Sequence, residues 1–187
     1  MSTSENPYSA DTGFQVRRGG PADAPAFLAY LRRMGGETDF VSFGAEGIEL
    51  TEEEEAAYIA KTNARDNAIF LLAVAGGEIV GGLTFNGGTR ARLRHTGEFG
   101  VSVLREWWGR GVARALLETM LEWARRSGVV RKINLRVRTD NERAIRMYER
   151  LGFVHEGLAT RDMLIDGRFH DSLLMGLEID PEGQGGG

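Results

Sequence analysis

A strand that runs straight into a glycine-marked helix can hold phosphate, and Val101-Ser-Val-Leu-Arg-Glu-Trp-Trp-Gly-Arg-Gly-Val-Ala-Arg114 has that form. A helix start offers amides without an intrahelical acceptor and the positive end of the peptide dipole. Gly109 and Gly111, read as lying in the first turn, let an anion approach the backbone. Arg105, Arg110 and Arg114 add positive charge nearby. The chemistry this suggests is a phosphate or pyrophosphate cradle. The same glycines would also serve a tight turn and close helix–sheet packing, and the stretch alone does not choose between the two. A Walker loop, GxxxxGK[ST], is absent, and the GxGxxG of a dinucleotide fold is incomplete, because Gly109-x-Gly111 is followed by Ala113 and Arg114. No ribose-binding acid stands about 20 residues further on.

Other chemistries are excluded by composition. The 187 residues contain no cysteine, which removes thiolate nucleophiles, disulfides, iron–sulfur clusters and Cys-based zinc. Three scattered histidines, His95, His155 and His170, and no HExxH leave no metal site expected. A net charge of −4 argues against a nucleic-acid partner. The longest apolar run, Ala68–Ala75, is far short of the roughly 20 residues that span a membrane, and the polar N-terminus has no apolar leader. A cytoplasmic protein without a membrane partner is expected. Glycine, at 26 residues, stands at about twice its ordinary usage, so its placement matters.

The elements that must position this stretch are legible from periodicity. Phe14–Arg18 alternates as a strand, and Pro21 opens a helix to about Met34. Gly35–Gly47 reads as irregular. Thr51 and Glu54 form a capping box for a helix to about Arg65. Ala68–Ala75 and Glu78–Asn86 are strands joined at Gly76-Gly77, and Thr96–Val103 is a third. Gly109–Ser127 carries Val112, Ala113, Leu116, Leu117, Met120, Leu121 and Ala124 at helical spacing. Ile133–Arg138 is a strand, Glu142–Leu151 a helix, and Phe153–Leu164 and Phe169–Ile179 a closing hairpin around Asp166-Gly167. The order, β-α-α-β-β-β-α-β-α-β-β, specifies a mixed α/β or α+β sheet protein. Residues 1–13 and 181–187 read as flexible ends of a single domain, 14–180.

Two signatures then resemble a known family. Trp108-Gly-Arg-Gly111-Val-Ala113 is similar to the acyl-CoA loop of the GNAT N-acetyltransferases, (Gln/Arg)-x-x-Gly-x-(Gly/Ala), with Trp108 departing at the first position. Asn141-x-x-Ala144-x-x-x-Tyr148-x-x-x-Gly152-Phe153 resembles the family's second signature, about 30 residues downstream. Glu156-Gly157 and Gly167-x-x-x-Asp171-x-x-x-Met175 resemble the ending of small-substrate members. The resemblance covers about residues 14–180. It implies a central mixed, mostly antiparallel sheet flanked by helices, with acetyl-CoA as acyl donor.

It also implies roles. Val101, Ser102 and Val103 would splay from the next strand and offer amides to the pantetheine arm. Gly109, Arg110, Gly111, Val112, Ala113 and Arg114 would hold the pyrophosphate, and Asn141 would bind the cofactor arm. Tyr148 would protonate the leaving thiolate, being a neutral phenol with a pKa near ~10; alternatively it is a core aromatic. A base used by peptide-acetylating relatives, five residues before the Asn, is replaced by Arg136. Glu98 is the substitute, acting through water, unless it is a surface acid; His95 and His170 are outside candidates. Glu37, Thr38 and Asp39 would bind a cationic substrate. The Glu52–Glu55 run reads as a solvated helix start, and Arg90, Arg92 and Arg94 as a solvated hairpin. The activity implied is direct acetyl transfer to a primary amine of a small molecule such as an amino acid. Protein N-termini, polyamines, or a non-catalytic acyl-CoA-binding module are the alternatives. A homodimer is compatible with the two C-terminal strands.

Overall fold

A computed structural model describes residues 13–41, 44 and 46–180. Of the two ends read as flexible, 1–13 and 181–187, all but Gly13 lies outside the described residues. The chain forms β1 (Gln15–Arg18), α1 (Ala24–Glu37), α2 (Glu52–Asn63), β2 (Ala68–Ala75), β3 (Glu78–Gly87) and β4 (Thr96–Val103). It continues with α3 (Val112–Ser127), β5 (Lys132–Arg138), α4 (Glu142–Arg150), β6 (Val154–Ile165) and β7 (Arg168–Glu178). One seven-stranded sheet has the order β1-β2-β3-β4-β5-β7-β6. Every pairing is antiparallel except β4 with β5. This is the mixed, mostly antiparallel sheet with flanking helices that the sequence predicts, in the predicted order of elements.

The sheet is covered on both faces, which is why β2 reads as an unbroken apolar run. Ile69, Leu71 and Ala73 join Leu116, Leu117 and Met120 of α3 in one core. Phe70 and Leu72, on the opposite face, join Phe27, Tyr30, Leu31 and Met34 of α1 and Ile59 of α2 in another. The period-two alternation of a strand therefore serves two apolar layers at once. Full burial of each leucine, isoleucine, phenylalanine or methionine among them stabilises by about 1.5–3 kcal/mol relative to exposure. Thr51 caps α2 as its sequence predicts: Glu54 N–H donates to Thr51 Oγ1 at 3.2 Å, and Thr51 N–H donates to Glu54 Oε2 at 2.8 Å.

Three boundaries differ from expectation. Pro21–Asp23 forms a separate 3-10 turn, so α1 itself starts at Ala24. Helix α1 continues through Gly35-Gly36 to Glu37, so Glu37 ends the helix rather than entering an irregular stretch. Met34 and Gly35 are buried, and the Glu37 carboxylate accepts from Arg105 N–H at 2.7 Å and pairs with Arg33, anchoring the last turn. Helix α3 starts at Val112, so Gly109 and Gly111 precede its first turn. Their φ angles, +83° and +84°, are left-handed and cannot begin a right-handed helix.

Candidate active site

The site originates in an unfinished strand pairing. Strand β4 pairs β3 along its whole length, but meets β5 only at Thr96, Gly97 and Glu98. Beyond Glu98 the two parallel strands part. Leu104 N–H donates to Val80 O at 3.0 Å. Alternation along an antiparallel ladder then turns the amides of Val103 and Val101 toward the opening. Val103 O, on that side, accepts from the Trp108 indole Nε1 at 2.8 Å.

The opening leads to the start of α3 within a single cleft of about 1450 Å³. Val101, Ser102, Val103, Gly109, Gly111, Val112, Ala113 and Arg114 all line it. The left-handed Gly109 and Gly111 lead into the first turn of α3, whose Val112, Ala113 and Arg114 line the cleft with them. A β-carbon on Gly111 would meet nothing within 4 Å, so this backbone stands open to an incoming group. Arg143 lies beside Gly109, 3.5 Å from where a β-carbon would stand. The Arg110 guanidinium instead lies over Trp107 at 4.9 Å, outside the cleft lining. Arg114 is largely exposed and pairs with Glu118 at 2.8 Å. Strand edge, open amides and arginines suit a long acyl donor bearing a pyrophosphate.

Helix α4 brings the second signature to the same cleft. Asn141 caps it, its Oδ1 accepting from Ala144 N–H at 3.3 Å, and also lines the cleft. Tyr148 packs edge-to-face against Phe99 and Phe153, each 5.9 Å between ring centroids. It is only 6% exposed, yet it lines the cleft, so the core-aromatic reading and the site reading describe one side chain. Burial pushes its phenol well above the ordinary value, which keeps it a proton-bearing donor at neutral pH.

The far end of the cleft is built by α1, α2 and the segment between them. Phe27, Leu31, Met34, Phe40, Val41 and Leu50 make it apolar. Thr38 lines it; Glu37 and Asp39 do not. Asp39 is instead held by Arg138, a side chain 5% exposed. Arg138 also donates to Asp140 through two nitrogens, at 2.9 and 2.5 Å, to Asp39 O at 2.9 Å, and lies over Phe40. It clasps residues 39–40 to the end of β5. Glu98 sits outside the cleft lining, 3.4 Å from Arg136 Nε, while Arg136 also pairs with Asp162 at 3.1 Å. His95 lies outside the lining, and His170 stands 3.8 Å from Asp140.

Three contributors escape sequence reasoning. Tyr30 of α1 shares a 2.8 Å hydrogen bond with Ser102 Oγ across 72 residues of chain. Arg138 looks like an ordinary strand-end cation. Glu55 is the third: it is 3% exposed and lines the cleft, contrary to the solvated run expected for 52–55. A signal existed, because Glu55, Ile59 and Thr62, the buried residues of α2, are spaced at i, i+4 and i+7. Phasing the helix from Ile59 turns Glu55 inward.

A family model described as the acetyltransferase (GNAT) family matches residues 38–153, well over half of the chain. The chain belongs to this family. As a GNAT protein it is 37% identical over 105 residues to an L-amino acid N-acetyltransferase of Escherichia coli, covering 56% of this chain and 65% of that one. The chain spans less than two thirds of the length of the curated relatives it matches. Among solved structures, an acetyltransferase of the GNAT family from Streptococcus pneumoniae is 38% identical, with a TM-score of 0.86 over 89% of this chain and 99% of that one. A phosphinothricin acetyltransferase from Sinorhizobium meliloti in complex with acetyl-CoA shares the fold, at 19% identity and TM-score 0.75 over 94% and 92% of the two chains.

Proposed function

We propose that this GNAT protein transfers an acetyl group from acetyl-CoA directly to the primary amine of a small molecule, with an amino acid as the acceptor. The observation that carries the proposal is the parting of β4 from β5, which runs without interruption into the glycine-marked start of α3. Acetyl-CoA supplies the acyl group as a thioester. Val101 and Val103 offer the free amides that receive the donor's arm and polarise its carbonyl. Ser102 is fixed by Tyr30, which holds that stretch of β4 in register. The amides of Val112, Ala113 and Arg114, with Gly109 and Gly111 turned aside and Arg110 and Arg114 nearby, hold the pyrophosphate. Asn141 fixes the start of α4 and faces the donor's arm.

Tyr148 gives its proton to the departing thiolate. Only a neutral amine attacks a thioester, so a proton must also leave the acceptor. The Glu98 carboxylate is the base that accepts it through water and passes it to solvent, in competition with its Arg136 partner. Thr38 and Asp39, with Glu37 at the end of α1, form the rim over the acceptor. Cysteine is absent from the chain, which is consistent with transfer that forms no acyl-thiol on the protein.

The acceptor class rests on the Escherichia coli relative, an L-amino acid N-acetyltransferase. The test is calorimetric titration with acetyl-CoA, followed by a thiol-release screen over L-amino acids, polyamines, aminoglycosides and short peptides. Micromolar-range binding and release led by amino acids is the expected result. Binding without release from any amine makes the protein an acyl-CoA-binding module instead.

A further inference from the structure

Glu55 is the one acidic side chain of α2 that the fold turns inward. Its three neighbours in the run, Glu52, Glu53 and Glu54, are exposed. Among the described residues, its carboxylate has no cation within salt-bridge distance and forms no hydrogen bond. It nevertheless lines the cleft, whose α1–α2 end is otherwise largely apolar, with Phe27, Leu31, Met34 and Leu50 in the same lining. Leaving a carboxylate in apolar surroundings without a partner is costly, several kcal/mol after relaxation by general experience. Burial accordingly pushes its carboxyl above the ordinary value. A fold that places such a group in a site, with its compensating charge missing, leaves room for a ligand to bring that charge. The other acids lining this end, Asp140 and Asp162, already face Arg138 and Arg136.

We infer that Glu55 is the seat of the acceptor's ammonium, and that the acceptor carries this cation on an apolar body. The inference rests on the acetyltransferase reading and deepens it. The geometry behind it is an unpaired, buried carboxylate at the apolar end of a cleft that Tyr148 also lines. The ammonium pairs with Glu55 on entry, the apolar body packs on α1 and on Phe40 and Val41, and the proton subsequently leaves by the Glu98 route. Glu55 thereby selects cationic head groups, and the apolar wall selects the hydrocarbon bodies attached to them.

The test uses the full chain with two probes, L-leucine and isoamylamine, the second lacking a carboxylate, and with spermidine as an acceptor without an apolar body. Thiol release is measured for the wild type and for Glu55→Gln, alongside acetyl-CoA affinity and melting temperature. The expected result is a KM raised about tenfold or more for both apolar amines in Glu55→Gln, with a much smaller change in kcat. Acetyl-CoA affinity stays as in the wild type, and the melting temperature is equal or higher, because an unpaired buried charge has gone. An unchanged KM overturns the inference alone, leaving the acetyltransferase reading intact. So does a lowered melting temperature with weakened acetyl-CoA binding, which assigns Glu55 a structural role. Turnover of spermidine to the exclusion of both apolar amines also overturns it. A wild-type chain that releases no thiol with any amine sinks the acetyltransferase reading itself, and this inference with it.

Discussion

Gly111→Ala separates the two purposes a glycine can serve at the start of α3. Gly111 has φ +84° and ψ 0°, a left-handed conformation. Alanine in that region costs about 1–2 kcal/mol. No steric term adds to this, since a β-carbon there meets nothing within 4 Å. For a domain of this size the loss amounts to a fall in melting temperature of roughly 2–8 °C. Gly111 lines the cleft, so the new methyl group stands in open space beside the proposed pyrophosphate seat at the amides of Val112 and Ala113. Displacing the phosphate from one charge-assisted amide bond costs about 1.5–3 kcal/mol, or roughly ten- to hundredfold in affinity. The assay is calorimetric titration of acetyl-CoA into wild type and variant, with melting curves recorded on the same samples. Weakened binding beyond the stability loss is the expected outcome. If the melting temperature drops while affinity stays within about twofold, Gly111 serves the turn alone and the start of α3 is no phosphate cradle.

Other consequences can be checked alongside. Tyr148→Phe keeps the ring between Phe99 and Phe153 and removes only the hydroxyl, so kcat should fall about 10²–10⁴-fold with acetyl-CoA affinity unchanged; a rate within threefold of wild type excludes Tyr148 as the acid. Burial raises the phenols of Tyr30 and Tyr148, so in the unfolded chain they ionise first. Their contribution to stability is complete below the ordinary phenol value of about 10 and is lost as the pH rises above it. Melting temperature across alkaline pH should show that decline, and should show less of it in Tyr148→Phe. Arg138→Ala releases the clasp on Asp39, Phe40 and Asp140, whose carboxylates are half-exposed, at a cost of about 1–2 kcal/mol in denaturant melts. Its larger effect should be a raised KM for the amine with little change for acetyl-CoA.

Local rules carried most of the fold. The apolar run of β2, the capping box of α2 and the three-and-four spacing of α3 each follow from neighbours in sequence, and the structure keeps those elements close to their expected bounds. The two signatures placed Val101–Val103, Gly109–Arg114, Asn141 and Tyr148 in one region, and the fold brings all but Arg110 to a single cleft lining. The features that stayed hidden depend on distant partners. The parting of β4 from β5 is not among them: the family resemblance implied it, although register between strands separated by α3 leaves no mark in local pattern. The extension of α1 to Glu37 follows from an amide on Arg105. Arg138 acquires its role from Asp39, 99 residues away. Glu55 was obscured by composition, because four consecutive glutamates look uniformly solvated until the helix is phased from Ile59.

In the proposed reaction acetyl passes from acetyl-CoA to an amine in one direct step. A rapid-quench experiment with the wild-type chain, acetyl-CoA and the best amine of the screen measures it most directly, following free thiol, acetylated amine and intact protein mass together. Direct transfer predicts thiol and acetylated amine rising one for one, only when both substrates are present, with no mass added to the protein. Thiol released ahead of product, with an acetylated protein accumulating, would contradict it.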